Sequence, residues 1–183
     1  MEEFNIPKRE TAAAVKAAYD AYDAFKNDLR KTADEYIAYA RERDLPIMVV
    51  AGRPYHMDPE INHGINDLVT GFRFVLITED SVAWEMDKQP RTVLNQWTYH
   101  ARMYNAARYV CTQPDMELIQ LVSFGCGVDA ITGDEMRSIL EEGGKLYTQL
   151  KIDDISNLGA VKIRIRSLIA AIEERKKRAA AHG

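Results

Sequence analysis

Leu118-Ile119-Gln120-Leu121-Val122-Ser123-Phe124-Gly125-Cys126-Gly127-Val128-Asp129-Ala130 joins a nearly continuous apolar run to a thiol held between two glycines. The run reads as a strand buried on both faces, because a half-exposed strand would alternate polar and apolar residues. Glycines at its exit let the backbone turn sharply and approach a neighbour closely. In open α/β sheets ligands bind outside the carboxyl ends of the strands. Cys126 therefore has two readings, a small buried thiol in a tight turn or a group at a binding crevice.

Working backwards, Ile47-Met48-Val49-Val50-Ala51 is a second uninterrupted apolar run and reads as the first strand. It empties into Gly52-Arg53-Pro54-Tyr55-His56-Met57, after which Asp58-Pro59-Glu60 supplies an N-cap, a first helical residue and an acidic first turn. The helix so opened carries Ile61, Ile65, Leu68 and Val69 and stops at Gly71. Phe74-Val75-Leu76-Ile77 forms the next strand, ending in Thr78-Glu79-Asp80-Ser81, and Thr92 to Tyr109 form a helix with Val93, Trp97, Met103 and Tyr104 as apolar positions.

Working forwards, Thr132 to Glu142 is expected to be a short helix, with Thr132 and Glu135 spaced as a capping box and Gly143-Gly144 as its stop. Leu146 to Ile152 alternates, as an edge strand does. A last helix spans about Ala160 to Arg178 on Ile165, Leu168, Ile169 and Ile172. Ahead of the first strand, residues 8–43 form one long helical pattern without glycine or proline. Its stripe of Val15, Tyr19, Tyr22, Leu29, Tyr36, Ile37 and Ala40 is expected to pack on the domain behind it. Four strands separated by helices predict an α/β fold: a parallel sheet with helices on both faces. Right-handed crossovers favour strand order 2-1-3-4. The crevice then lies between the first and third strands, where the loops Gly52 to Asp58 and Phe124 to Asp129 meet.

With 183 residues the chain fits one domain with an appended helix. The divisions expected are a helix over 1–44, the α/β domain over 45–178 and a disordered tail over 179–183. A net charge of -4 provides no general basic excess, which argues against nucleic acid. The run Arg175-Lys176-Lys177-Arg178 suits a helix end. No stretch is apolar enough for a membrane span, and the start Met1-Glu2-Glu3-Phe4-Asn5 does not read as a secretory signal. Two cysteines, Cys111 and Cys126, make no disulfide framework. The expectation is a cytoplasmic protein with reduced thiols.

Candidate chemistry gathers at the two loops. Arg53 has the geometry to bind a carboxylate or phosphate bidentately, or to pair with Glu79, Asp80 or Asp129. His56 and His63 with Asp58 and Glu60 have ligand chemistry, but their spacing fits no tight zinc pattern. Cys126 precedes a helix start, where backbone N–H groups favour the thiolate. As a nucleophile it would need a base, and His56 is the only histidine expected nearby. Cys111 reads as structural. Lys162-Ile163-Arg164-Ile165-Arg166 holds an anion or forms a solvated face. The dinucleotide G-x-G-x-x-G after a strand, the Walker A loop, G-x-S-x-G and H-E-x-x-H are all missing, which argues against an independent ATPase.

The ordered series Gly52-Arg53-Pro54-Tyr55-His56, Asp58-Pro59-Glu60-Ile61-Asn62-His63-Gly64, Thr78-Glu79-Asp80-Ser81 and Ser123-Phe124-Gly125-Cys126-Gly127 with Asp129-Ala130 resembles a known family. It continues through Leu150-Lys151-Ile152-Asp153, Asn157-Leu158-Gly159-Ala160 and Arg164-Ile165-Arg166-Ser167-Leu168. The series is similar to the large activator-related proteins of 2-hydroxyacyl-CoA dehydratases, in their part akin to the dehydratase D-component, over about residues 45–172. The resemblance implies a Rossmann-like, flavodoxin-like domain that works with an ATPase activase module in electron transfer. It also implies a [4Fe–4S] cluster held by cysteines from more than one domain. The cysteine that carries over is Cys126 as metal ligand, with Arg53, Tyr55, His56, Gly125, Gly127 and Asp129 around the cofactor. Val128 departs from the family, where proline commonly follows the glycine. With two cysteines the chain cannot complete a four-thiolate cluster. The expected role is a non-catalytic, cluster-supporting domain, a fragment or subunit of a larger assembly, with other domains or a homo-oligomer supplying the rest. The alternative is a module binding a CoA- or phosphate-type anion in the same crevice. A third option makes the aromatic N-terminal helix a docking element.

Overall fold

Strands β1 (Ile47–Ala51) and β3 (Met116–Val122) are buried at every residue. In the computed structural model, which describes residues 6–86, 97–123, 125–153 and 158–182, they lie side by side and parallel, with Val49 opposite Leu118 and Val50 opposite Ile119. Strand β2 (Val75–Thr78) adds to the free side of β1, and β4 (Thr148–Lys151) adds to β3. The sheet order is β2-β1-β3-β4, entirely parallel, as the alternation of apolar runs and helices predicts.

Two cores follow from the pleat. Ile47, Val49 and Ala51 of β1 with Met116 and Leu118 of β3 face one side. There they meet α1 (Lys8–Glu42), the short α4 (Glu79–Val82), α5 (Thr98–Thr112) and α6 (Gly127–Glu142). Met48, Val50, Ile119 and Leu121 face the other side, covered by α3 (Ile65–Gly71) and α7 (Gly159–His182). Residues adjacent in a strand point to opposite faces, so an uninterrupted apolar run is what a double-faced sheet requires.

Several boundaries differ from the sequence reading, each for a local reason. The helix expected from Asp58 to Gly71 is two helices: a single turn, α2 (Pro59–Asn62), and α3. His63 (φ 54°) and Gly64 (φ 79°) both take the left-handed conformation between them. The Asn62 side chain fixes this break by accepting from the Gly64 N–H at 3.0 Å. Asp58 caps α2 as read, accepting from the Glu60 N–H at 2.9 Å. Helix α6 begins at Gly127, so Thr132 is interior and not a cap. Its hydroxyl donates back to the Val128 carbonyl at 2.8 Å. Helix α5 is described from Thr98 and continues to Thr112; Thr92 and Val93, like Phe124 and Asn157, lie outside the described residues. Helix α7 runs on to His182, because Ala179-Ala180-Ala181, read as a tail, are strong helix formers.

The aromatic stripe of α1 departs most. Only Ala33, Ile37 and Ala40 near its C-terminus are buried; Val15, Tyr19, Tyr22 and Tyr36 are exposed. Val15, Tyr19 and Tyr22 lie on the part of the helix that reaches past the buried end, whereas Tyr36 is exposed next to buried Ile37, outside the covered line of Ala33, Ile37 and Ala40. Arg41 anchors the covered end, donating to Asp115 at 2.7 Å and to Gln113 at 2.8 Å.

At the far end of the sheet Lys145 is buried and donates to the carbonyls of Gln113 and Met116 at 2.6 and 2.8 Å. Glu117 lies 3.8 Å from the Lys145 ammonium and also pairs with Arg175 of α7. Arg175 therefore locks α7 to the start of β3. In the Lys162–Arg166 run Ile165 is buried and Ile163 exposed, while Arg164 donates to the Gln149 carbonyl at 3.0 Å. That run packs and faces solvent. Among the described residues no helix is long and apolar enough to cross a membrane. Ile165→Ala is expected to cost about 2–5 kcal/mol, and Ile163→Ala to stay within about 0.5 kcal/mol of wild type, in urea denaturation.

Candidate functional site

The loop after β1 and the loop after β3 meet at the carboxyl end of the sheet, as strand order 2-1-3-4 requires. Gly52 opens the first loop, and its backbone lies so close to the His56 ring that an added Cβ would stand 2.7 Å from Nδ1. The one-turn 3-10 helix Pro54–Met57 folds His56 back so that its Nδ1 accepts from the Arg53 N–H at 3.1 Å. That contact decides the tautomer. A ring nitrogen that accepts from an amide carries no proton, so the proton of the neutral ring sits on Nε2. Nε2 lies 3.1 Å from Ser123 Oγ and donates to it. Burial, and then the Arg53 charge, lower the His56 pKa and keep the ring neutral.

His56 is thus a buried strut between the two loops. As a donor to Ser123 it cannot take a proton from that hydroxyl, and its other nitrogen is occupied, so it is excluded as the base for a nucleophile. The Tyr55 hydroxyl also meets Ser123 Oγ at 3.3 Å and accepts from Arg53 at 3.2 Å. Arg53 in turn donates to Asp129 of α6 at 2.8 Å, with both side chains largely buried. Of the partners open to Arg53, Asp129 is the one engaged. Glu79 pairs with Arg102 at 3.0 Å instead. Arg53, Tyr55, His56, Ser123 and Asp129 therefore form one continuous network across the crevice. The guanidinium on which recognition of a CoA- or phosphate-type anion would draw is committed within it.

Cys126 is the N-cap residue of α6 and is partly exposed. The N–H groups of Asp129 and then Val128, with Arg53 beside them, lower its pKa, because each stabilises the thiolate. Gly125 and Gly127 are not used as the sequence suggested. Neither has a positive φ, and a Cβ added to either would meet nothing within 4 Å. The turn is made by ordinary extended backbone at Cys126 (φ -77°, ψ 124°). The space beside the Cα of both glycines is open.

Three residues enter the site that the sequence reading did not place there: Ser123 as the hub of the network, and Tyr99 and His100 from the start of α5. His100 is buried, and its Nε2 lies 3.9 Å from Asp129 Oδ1 without a hydrogen-bond partner among the described residues. Its pKa is lowered by burial. The Tyr99 ring packs edge-on against it at 4.1 Å. His56 is therefore not the only histidine at the crevice. The α5–α6 packing brings His100 in, and no short-range spacing announces that. His63 sits in the left-handed turn between α2 and α3. Among the described residues no three His, Cys, Asp or Glu side chains converge to hold a metal ion.

Comparison with known families adds one finding. Residues 1–82 match the family model described as CoA enzyme activase uncharacterised domain (DUF2229). Over this stretch the chain is similar to a domain associated with CoA enzyme activases. The stretch contains α1, β1, the Arg53–His56 loop and β2, and it ends before Cys126. No curated protein and no solved structure matches the chain.

Cys111 is separate from this site. Its Sγ lies 3.5 Å from the Ile139 carbonyl, thirteen residues along α6 from Cys126, so the two thiols are roughly 20 Å apart at the helical rise. Burial raises its pKa. Gly143 has no room for a Cβ, which would fall 2.3 Å from that sulfur. Iodoacetamide at neutral pH is expected to modify Cys126 well before Cys111, read by peptide mass mapping over time.

Glu79 lies buried where β2 gives way to α4, and burial, then Asp80, push its pKa up to about 8 against the pull of Arg102. A carboxyl raised in the folded state binds more protons there than in the unfolded chain between pH 4.5 and 8. Its protonated form therefore stabilises the fold at low pH, and that contribution is lost as pH rises through 8. Glu79→Gln is expected to flatten this decline in urea titrations between pH 5 and about 8.5.

Proposed function

We propose that the chain is a non-catalytic domain of a CoA enzyme activase system that contributes one thiolate, Cys126, to an iron–sulfur cluster completed by another domain or subunit. The observation that carries this reading is the thiol itself. It is partly exposed at a helix N-terminus, its pKa is lowered, and open space lies beside the Cα of both flanking glycines. A thiolate is the form that binds iron, and glycines leave room for a bulky inorganic group to come close.

The chain alone does not fit a whole cluster. A [4Fe–4S] cluster takes four thiolates, and Cys111 lies at the other end of α6 with its sulfur turned towards Ile139 and Gly143. One ligand position fits. The activase match over residues 1–82 supports the setting, and the resemblance through residues 123–168 supports the role of Cys126. The network behind the thiol supplies rigidity. Arg53 and Asp129 join the two loops, and His56 with Ser123 closes the gap between them. A ligand on a stiff turn is held where a facing domain can meet it.

Nucleophilic catalysis by this chain is disfavoured on the same geometry. His56, which donates to Ser123, is not available as a base for Cys126. The test is anaerobic iron–sulfide reconstitution of the chain together with the cysteine-bearing domains of its activase system. Cys126→Ser is expected to lower bound iron and visible absorption relative to wild type. Equal iron and equal spectra in the two samples would remove Cys126 from the ligand set.

A further inference from the structure

A second cleft lies away from Cys126, where α1 leaves the body. It has a volume of about 350 Å³ and is lined by Tyr22, Phe25, Lys26 and Arg30 of α1, with Trp84 and Arg102 on the facing side. Its chemistry is unlike the rest of the surface. Three cations converge there in a chain of net charge -4, with Asp80 as the only carboxylate among the described lining residues.

The cations are incompletely used by the protein. Arg102 donates to Glu79 through one terminal nitrogen, but its buried Nε has no hydrogen-bond partner among the described residues. Arg30 sits over the Trp84 ring at 4.9 Å and makes one long hydrogen bond, to Asn27 at 3.4 Å, with no carboxylate paired to it among the described residues. Lys26 is held to Asp23 at 2.6 Å at the rim. Thr98, the first residue of the fifteen-residue helix α5, also lines the cleft. The first turn of that helix has no acidic residue and no side-chain cap from Trp97. The positive end of a helix and three cations thus point to an anion.

The remaining walls are aromatic. Tyr22 and Phe25 are exposed to the extent of 53% and 59%, which is costly for such side chains unless something covers them. Trp84 is half-buried opposite. A bare phosphate would leave Tyr22 and Phe25 exposed, and a purely apolar molecule would leave the cations unmatched. The volume stands at the low end for small-molecule sites, enough for one ring system with its anionic group and too little for a dinucleotide.

We infer that this cleft is a binding site for a mononucleotide-type anion, its base resting among Tyr22, Phe25 and Trp84 and its phosphate held by Arg102, Arg30 and Lys26. The site is independent of the role given to Cys126.

Trp84 and Trp97 are the two tryptophans of the chain, so a Trp97→Phe variant reports on the cleft through Trp84 fluorescence alone. Titration of that full-length variant with AMP is expected to give a saturable change. Adenosine and inorganic phosphate, titrated separately, are each expected to bind at least about tenfold more weakly. Arg102→Gln is expected to weaken AMP about tenfold. The double variant Lys26→Gln/Arg30→Gln, which leaves the Arg102–Glu79 pair in place, is expected to do the same with an unchanged circular-dichroism spectrum. Cys126→Ser is expected to bind AMP as wild type does. No saturable change with AMP would overturn the site. Adenosine binding as tightly as AMP would overturn the anionic part, and phosphate binding as tightly as AMP the aromatic part. AMP binding unaltered in the double variant would equally overturn it.

Discussion

The parallel pairing of β1 with β3 is the constraint on which the rest of the molecule depends. Both strands are buried at every residue, so each must be covered on two faces and flanked on two edges. The helices divide between the two faces for that reason, and the shorter β2 and β4 take the edges. The same pairing sets the site, because two strands running the same way and meeting in register deliver their exit loops to one end of the sheet. The chain between them is long, and only this non-local pairing brings residue 53 to residue 129.

What happens at that end is governed by desolvation. Arg53 and Asp129 are both largely buried, and neither charge would be tolerated there without the other. Their pair commits the guanidinium that a free anion would otherwise seek. His56 is neutral for the same reason, and its hydrogen bonds leave it no proton to accept from a neighbour. The outcome is a rigid polar network behind a single reactive group. Cys126 and the exposed Tyr55 stand at the open face, and the backbone N–H groups of α6 favour the Cys126 thiolate.

At the other extreme, α1 exposes what the core rules would bury. Its stripe is covered only where Ala33, Ile37 and Ala40 reach the body. Beyond that point Tyr22 and Phe25 lean over a cleft whose far wall carries Arg102. The molecule thus presents two separate polar sites. One is built from loops at the sheet's carboxyl end, and one from the overhang of a long helix. The activase-domain match covers α1 and the Arg53 loop but stops short of α5 and α6, so each site draws on residues inside and outside it.

The sequence by itself determined the sheet. Ile47–Ala51 and Leu118–Val122 are apolar without alternation, which only a strand buried on both faces tolerates, and the helical stretches between them force parallel crossovers. It also placed Arg53, Tyr55, His56, Cys126 and Asp129 at one crevice, since strand order dictates which loops meet. It could not show which groups would be free there. The two left-handed residues at His63 and Gly64, the early start of α6 and the open space at Gly125 and Gly127 arise from backbone geometry that residue types only weakly encode. Tertiary packing alone decided that Arg53 pairs with Asp129, that His56 is a donor, and that His100 arrives from α5. Each of these depends on contacts tens of residues apart, where desolvation and the competition among hydrogen-bond partners set the outcome and spacing along the chain carries no signal.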